Sequence, residues 1–197
     1  MLKIYTLGKS VAYFEDEQPL TFRTRKAEAI LYYLIVTAKA VDRTELAELF
    51  WSDMTTPNAQ KNLRTVLPDL RSLLGDLITI TNQDVAFNKK SAHWVDLYQL
   101  YELLNNAWIS EEEKLTQFLE LYQGELLNEL NVPNVPGYEI WLQQQRGVAQ
   151  GRHRADAADA RHRAPVWRGH RSPRRTRAQA DRPAHQHPGR CALPARP

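Results

Sequence analysis

Between Thr56 and Gly75 the stretch TPNAQKNLRTVLPDLRSLLG puts two chemistries on opposite sides of one helix. At 3.6 residues per turn Leu63, Val66, Leu67, Leu70, Leu73 and Leu74 fall together. Pro57, Asn58, Lys61, Arg64, Thr65, Pro68, Arg71 and Ser72 fall opposite them. Lys, Arg, Asn and Thr are the residue types that hold phosphates and read base edges. A solvated face on a surface helix has the same composition, so the flanking elements must decide between the two readings. Thr56 is expected as N-cap, Pro57 as the first helical residue, where no N–H is needed, and Gly75 as the stop.

Other chemistries find no residues to carry them. His93 is the one histidine in residues 1–146 and Cys191 the one cysteine of the chain, so no metal cluster or disulfide framework is expected. No Ser/His/Asp or Cys/His set, glycine-rich phosphate loop or paired acid site stands out, and Glu111-Glu112-Glu113 reads as helix capping. The expectation is a non-enzyme without cofactor. No apolar run approaches the ~18 residues of a membrane span, and MLKIYTLGKSVAYF has no signal-peptide pattern. A cytoplasmic protein is the resulting expectation.

The 197-residue chain carries a net charge of +3, divided unevenly. Residues 1–90 hold 12 Lys+Arg against 11 Asp+Glu, residues 91–146 hold 2 against 9, and residues 147–197 hold 12 against 3. Net charges of +1, −7 and +9 mark three regions.

The elements that must position the polar face follow from local pattern. Leu2–Leu7 alternates like a strand, Val11–Phe14 reads as a second strand, Glu15–Gln18 as a turn, and Pro19–Phe22 as a short edge strand, together a small antiparallel sheet. Thr24 should cap a helix whose apolar face is Ala27, Ile30, Leu31, Leu34 and Ile35. Asp42 with Glu45 forms a capping-box pattern ahead of a short helix, Glu45 to Trp51, that buries Leu46, Leu49 and Phe50, with Trp51 as a core anchor. After Gly75, Leu77–Thr81 and Val85–Asn88 flank the turn Asn82-Gln83-Asp84, a hairpin. Three strands, three helices and a hairpin make a helix-turn-helix with a following wing. Such a helix fits the major groove, and the wing can reach the minor groove or the backbone.

FRTRKAEAILYYL, DRTELAELFW, NLRTVLPDLRSLLGD and LITITNQDVAFN, in this order over residues 1–90, closely resemble the OmpR-type winged-helix domain of SARP-type transcriptional regulators. The resemblance implies binding of double-stranded DNA through the third helix, as two molecules (a dimer) on direct repeats. Carried over by position, Asn58, Lys61, Asn62, Arg64 and Thr65 are expected at bases and phosphates and Arg71 at the DNA backbone. Arg43 and Thr44 are expected at phosphate, as a helix N-terminus favours, and Asn82 and Gln83 at the tip of the wing. Two positions depart from the family pattern: Pro68 should bend the helix, and Asp69 would repel a nearby phosphate. Residues 1–90 are expected to fold alone.

In the second region Trp94–Ala107 is expected as a helix, with Leu97, Leu100, Tyr101 and Leu104 on one face. Ser110 should cap another, with Leu115, Phe118, Leu119 and Tyr122 continuing the apolar face. LYQGELLNEL and VPNVPGYEIWLQQQR resemble the start of the bacterial transcriptional activator domain, a tetratricopeptide-like (TPR-like) array. That implies a partial domain over 93–146 that contacts RNA polymerase or another transcription protein, and further helices that this chain lacks. The resemblance stops at Arg146. Residues 147–197 hold twelve Arg and no Lys, against eight Lys and six Arg before them, with almost no large apolar residues. A disordered tail is expected. It reads either as a basic arm that grips nucleic acid or as the product of a reading-frame change in a GC-rich gene; the switch inside a helix favours the second. The fold class expected is thus an α+β winged helix-turn-helix domain, an all-α TPR-like segment and a disordered C-terminal tail. Rival expectations are a protein-interaction module without DNA binding and a non-functional truncated remnant.

Overall fold

A computed structural model describes residues 1–14 and 18–147. The turn expected at Glu15–Gln18, except for Gln18, and the tail from residue 148 on lie outside the described residues. Among the described residues the architecture is mixed α/β, with two three-stranded sheets and six helices.

The first sheet has the order β2 (Val11–Tyr13), β1 (Leu2–Tyr5), β6 (His93–Val95). β1 and β2 pair antiparallel, with Ile4 opposite Ala12, as the alternation predicts. The third strand is not Pro19–Phe22. That segment contributes only a bridge between Tyr13 and Pro19 and one bond, Leu20 N–H to the Ala12 carbonyl at 2.8 Å. Proline has no N–H to continue the ladder, and the other edge of β1 is taken by β6, which runs parallel to it with Ile4 opposite Val95.

Three of the helices start where a short polar side chain accepts free backbone N–H groups. Thr24 accepts from Ala27 at the start of α1 (Arg25–Thr37), and Asp42 accepts from Thr44 and Glu45 at the start of α2 (Arg43–Phe50). Ser110 accepts from Glu113 at the start of α5 (Glu111–Leu121). α3 spans Thr56–Leu74 and runs through Pro68. Its N-cap is Thr55, not Thr56, and makes no side-chain bond. The Thr56 hydroxyl is diverted to Glu48 Oε1, 3.0 Å away.

α3 leads through a 3-10 turn, Gly75–Leu77, into the expected hairpin, β4 (Ile78–Ile80) and β5 (Asp84–Phe87). β5 also pairs with the two-residue strand β3 (Val41–Asp42), so the second sheet has the order β3-β5-β4. α4 occupies Asp96–Asn105, and a last helix, α6, is described over residues 136–147. The expected helix start at Trp94 is wrong by two residues, because Trp94 lies within β6.

Residues beyond 90 enter the same core as residues before it. Leu126, Leu127, Leu130, Val135, Tyr138 and Leu142 cluster with Ile30, Leu34, Phe50 and Leu63. Tyr138 lies 5.4 Å from Phe50 and Trp141 4.6 Å from Tyr33, ring centre to ring centre. The Tyr98 hydroxyl donates to the Ile35 carbonyl at 2.7 Å. Gly8 and Gly124 let two backbones meet: a Cβ on Gly124 would sit 3.1 Å from the Gly8 Cα, and Gly8 N–H donates to the Glu125 carbonyl at 2.9 Å.

The junction of β6 and α4 holds a buried carboxylate. Asp96 is 2% exposed. Its Oδ1 accepts from the Thr6 N–H (2.9 Å), the Thr6 hydroxyl (2.7 Å) and the Leu97 N–H (2.7 Å). Its Oδ2 accepts from the N–H groups of Thr6 (2.7 Å) and Leu7 (2.8 Å). Burial pushes the carboxyl above its ordinary value, and these donors pull it back. The first strand therefore ends at Tyr5 rather than Leu7: the next two N–H groups turn to Asp96.

Removing this acceptor orphans buried donors on two segments. Asp96→Ala should lower the unfolding free energy by about 3 kcal/mol, and Asp96→Asn, which keeps one oxygen, by less. Urea unfolding measures both; a loss below about 1 kcal/mol for the alanine variant would mean the carboxylate is not the tie described.

Candidate nucleic-acid interface

α3 is fixed to the body through Ala59, Leu63, Leu67, Leu70 and Leu74, all buried. Its opposite side carries Asn58, Lys61, Arg64 and Thr65, all exposed. Apolar burial on one side thus holds the polar side outward.

The hairpin is held against α3 and α2 by three donors. The Arg71 guanidinium donates to the Ile80 carbonyl at 3.3 Å, and the Arg43 guanidinium to the Thr81 carbonyl at 3.2 Å. The Arg43 N–H donates to the Gln83 carbonyl at 2.8 Å. Inside the turn, the Thr81 hydroxyl accepts from the N–H groups of Gln83 (3.2 Å) and Asp84 (2.8 Å). This places Asn82 and Gln83, both exposed, at the hairpin tip.

Between the start of α2, the middle of α3 and the hairpin tip lies a cleft of ≈ 270 Å³ lined by Asp42, Arg43, Thr44, Gln60, Leu63, Arg64, Asn82 and Gln83. Five residues singled out in the sequence meet here: Arg43, Thr44, Arg64, Asn82 and Gln83. Asn58, Lys61 and Thr65 lie on α3 outside it. Asn62 is half-buried, with its amide nitrogen 3.1 Å from the Met54 sulfur. The Thr65 hydroxyl donates back to the Lys61 carbonyl at 3.1 Å.

Two lining residues escaped the sequence reading. Gln60 sits at the border of the two helical faces, and its side-chain amide donates to the Thr44 hydroxyl at 3.1 Å. One turn before Arg64, it was within reach of the same spacing argument. The sequence pattern around Asp42 predicts only a cap. It accepts the N–H groups of Thr44 (2.7 Å) and Glu45 (3.2 Å), and these bonds hold its carboxyl below the ordinary aspartate value. The α2 start therefore presents the Arg43 guanidinium and the Thr44 hydroxyl to the cleft, while its first N–H groups are already bonded. Asp69, expected to repel phosphate, lies 3.4 Å from the exposed Arg23 guanidinium.

His93 serves the fold. Its Nδ1 is 2.7 Å from the Ser91 carbonyl, and its ring meets Phe87 edge-on at 5.0 Å. Among the described residues no group of three or more His, Cys, Asp or Glu is arranged to hold a metal ion, and no helix is long and apolar enough to cross a membrane.

No family model and no curated protein matches the chain. Among solved structures, Mycobacterium tuberculosis EmbR in complex with a low-affinity phosphopeptide is similar to it, with a TM-score of 0.57 and 17% identity. The likeness covers 79% of this chain and 44% of that one, so this chain spans less than half of the EmbR chain. At this identity the likeness is one of fold.

The bond from Arg71 to the hairpin is exposed, so it bears on local order more than on global stability. Arg71→Ala should speed amide exchange over residues 79–84 while lowering global stability by no more than about 1 kcal/mol. Exchange unchanged in that hairpin would show that Arg71 does not brace it.

Proposed function

We propose that this chain is a sequence-specific DNA-binding transcriptional regulator of the SARP type. In this reading residues 1–90 form a winged helix, with α3 in the major groove and the β4–β5 hairpin as the wing on the minor groove or backbone. Residues 93–146 form the start of a TPR-like transcriptional activator domain that contacts RNA polymerase or another transcription protein, and two molecules bind direct repeats. The fold shared with EmbR and the four sequence blocks support this. The observation that carries it is the cleft joining Arg43, Thr44 and Gln60 to Arg64 and the hairpin tip. A helix of α3's width enters a major groove ≈ 12 Å wide, and a hairpin fixed beside it then meets the flanking strand.

Roles follow from position. Arg64 is mid-face and exposed, where a bidentate bond to guanine discriminates by ~1–3 kcal/mol. Lys61 and Arg43 supply charge to phosphates, which positions the helix without reading sequence. Gln60, bonded to Thr44, has its carbonyl oxygen to offer a base edge.

The test uses the full chain in a selection of bound sites from random duplex DNA, followed by affinity measurements across salt. A defined site should emerge, with a log–log slope of roughly −0.9 per phosphate contacted. Arg64→Ala should cut the preference for that site over random duplex by about tenfold or more, whereas Arg43→Ala should weaken all sequences alike. Affinity indifferent to salt, or equal losses on specific and random DNA from both changes, would sink the assignment.

A further inference from the structure

The polar arc of α3 has two edges, and the hairpin occupies one of them. At about 100° per residue, Arg71 and Arg64 lie close together, Lys61 and Thr65 follow, and Asp69 lies about 140° round from Arg64. Arg71 bonds the hairpin, so the hairpin flanks that edge. The far edge carries Asn58, Thr65 and Asp69 and no cation of its own. There the segment ahead of α1 lies against α3. Through Nη1 the Arg23 guanidinium reaches the Asp69 carboxylate at 3.4 Å. The two line a cleft of ≈ 310 Å³ together with Thr21 and Ser72, both exposed.

Three cations stand around the start of α1, and the fold commits two of them. Lys26 Nζ donates to the Phe50 carbonyl at 2.8 Å and lies 5.0 Å over the Trp51 ring. Arg25 Nη1 meets Glu28 Oε2 at 2.8 Å. Arg23 is held differently. Its side chain is 77% exposed, and its contact with Asp69 is longer. Among the described residues that contact uses Nη1 alone, which leaves Nε and Nη2 for another acceptor. An exposed pair of this length adds little to stability. What it does is hold a planar set of N–H donors beside the edge of α3 that lacks charge. A helix lying in the major groove has a phosphate strand on either side of it.

We propose that Arg23 binds a backbone phosphate of duplex DNA on the side of α3 away from the hairpin, with Asp69 as the positioning residue that aims its guanidinium. Nη1 stays on the carboxylate while Nε and Nη2, which point the same way, take two phosphate oxygens. That fork is one that lysine cannot copy. The hydroxyls of Thr21 and Ser72 add neutral donors of the kind that position a protein on the backbone. Asp69 then serves DNA binding through Arg23, although alone it would repel phosphate. This deepens the DNA-binding reading and rests on it.

The test measures the affinity of the full chain, across salt, for the duplex that emerges from the selection of bound sites. Wild type is compared with Arg23→Ala, Arg23→Lys, Asp69→Asn and the Arg23→Ala, Asp69→Asn double variant. Arg23→Ala should weaken binding by about tenfold at low salt and shrink the log–log salt slope by about 0.9. It should leave discrimination against single-base variants of the site unchanged, because a phosphate contact reads no sequence. Arg23→Lys should keep the slope and recover only part of the affinity. Asp69→Asn should weaken binding when Arg23 is present and strengthen it in the Arg23→Ala background, where only repulsion is left. The sign change across this cycle separates a positioning residue from a simple repelling charge. Circular dichroism and melting temperature should stay as in wild type, since both side chains are exposed. An Arg23→Ala chain that keeps wild-type affinity and slope on a selected site would overturn this inference and leave the DNA-binding reading standing. So would an Asp69→Asn change that strengthens binding with Arg23 in place. A chain that selects no duplex would overturn both.

Discussion

The carboxylate of Asp96 ties the end of β1 to the start of α4, ninety positions away in the chain. It takes the N–H groups of Thr6 and Leu7 just where β1 would have gone on pairing, and at the same time the N–H of Leu97 at the start of α4. A buried charge is costly unless its hydrogen bonds are complete, and here the donors come from residues ninety positions apart. Once that bond set forms, β6 lies along β1, α4 leaves at a fixed angle, and Tyr98 reaches the Ile35 carbonyl. The Gly8–Gly124 approach and the Arg146 bonds to Leu126 and Leu127 add further ties along the same edge. Composition changes sharply near residue 90, but the core does not.

What was legible in the sequence was what local physics decides. Thr24, Asp42 and Ser110 cap helices because a short side chain can reach an N–H two or three residues on. The two faces of α3 and the strands of the hairpin follow from their periods. What was not legible depends on distant partners. Three residues, His93–Val95, show no signal of their own and become a strand only because β1 offers an edge; Val41–Asp42 becomes a strand only because β5 does. Pro19–Phe22 looked like the third strand, and it lost that place to β6. The sequence does not single out Asp96 at all, and only the fold reveals that it faces Thr6.

The candidate interface divides the same way. Arg64 and Lys61 are exposed because their helical face is set by the leucines opposite. Whether a cation is free to meet a ligand is a matter of neighbours. Arg71 and Arg43 each spend a guanidinium donor on the hairpin, and Asn62 turns to Met54. Gln60 enters the cleft through its bond to Thr44. Arg43 and Arg71 therefore contribute shape as well as charge: they hold the hairpin tip at a set distance from α3, and rigid placement is what lets a few side chains discriminate. With a net charge of only +1 over residues 1–90, the geometry of these few groups matters more than bulk attraction.

In the proposed function, α3 and the β4–β5 hairpin act together as one DNA-facing surface. Hydrogen–deuterium exchange of the full chain, with and without a selected duplex, addresses it directly. That function predicts slowed exchange in α3 and over residues 79–84, with α5 unchanged. Slowing confined to other segments, or an α3 that exchanges as before while the duplex is bound, would contradict it.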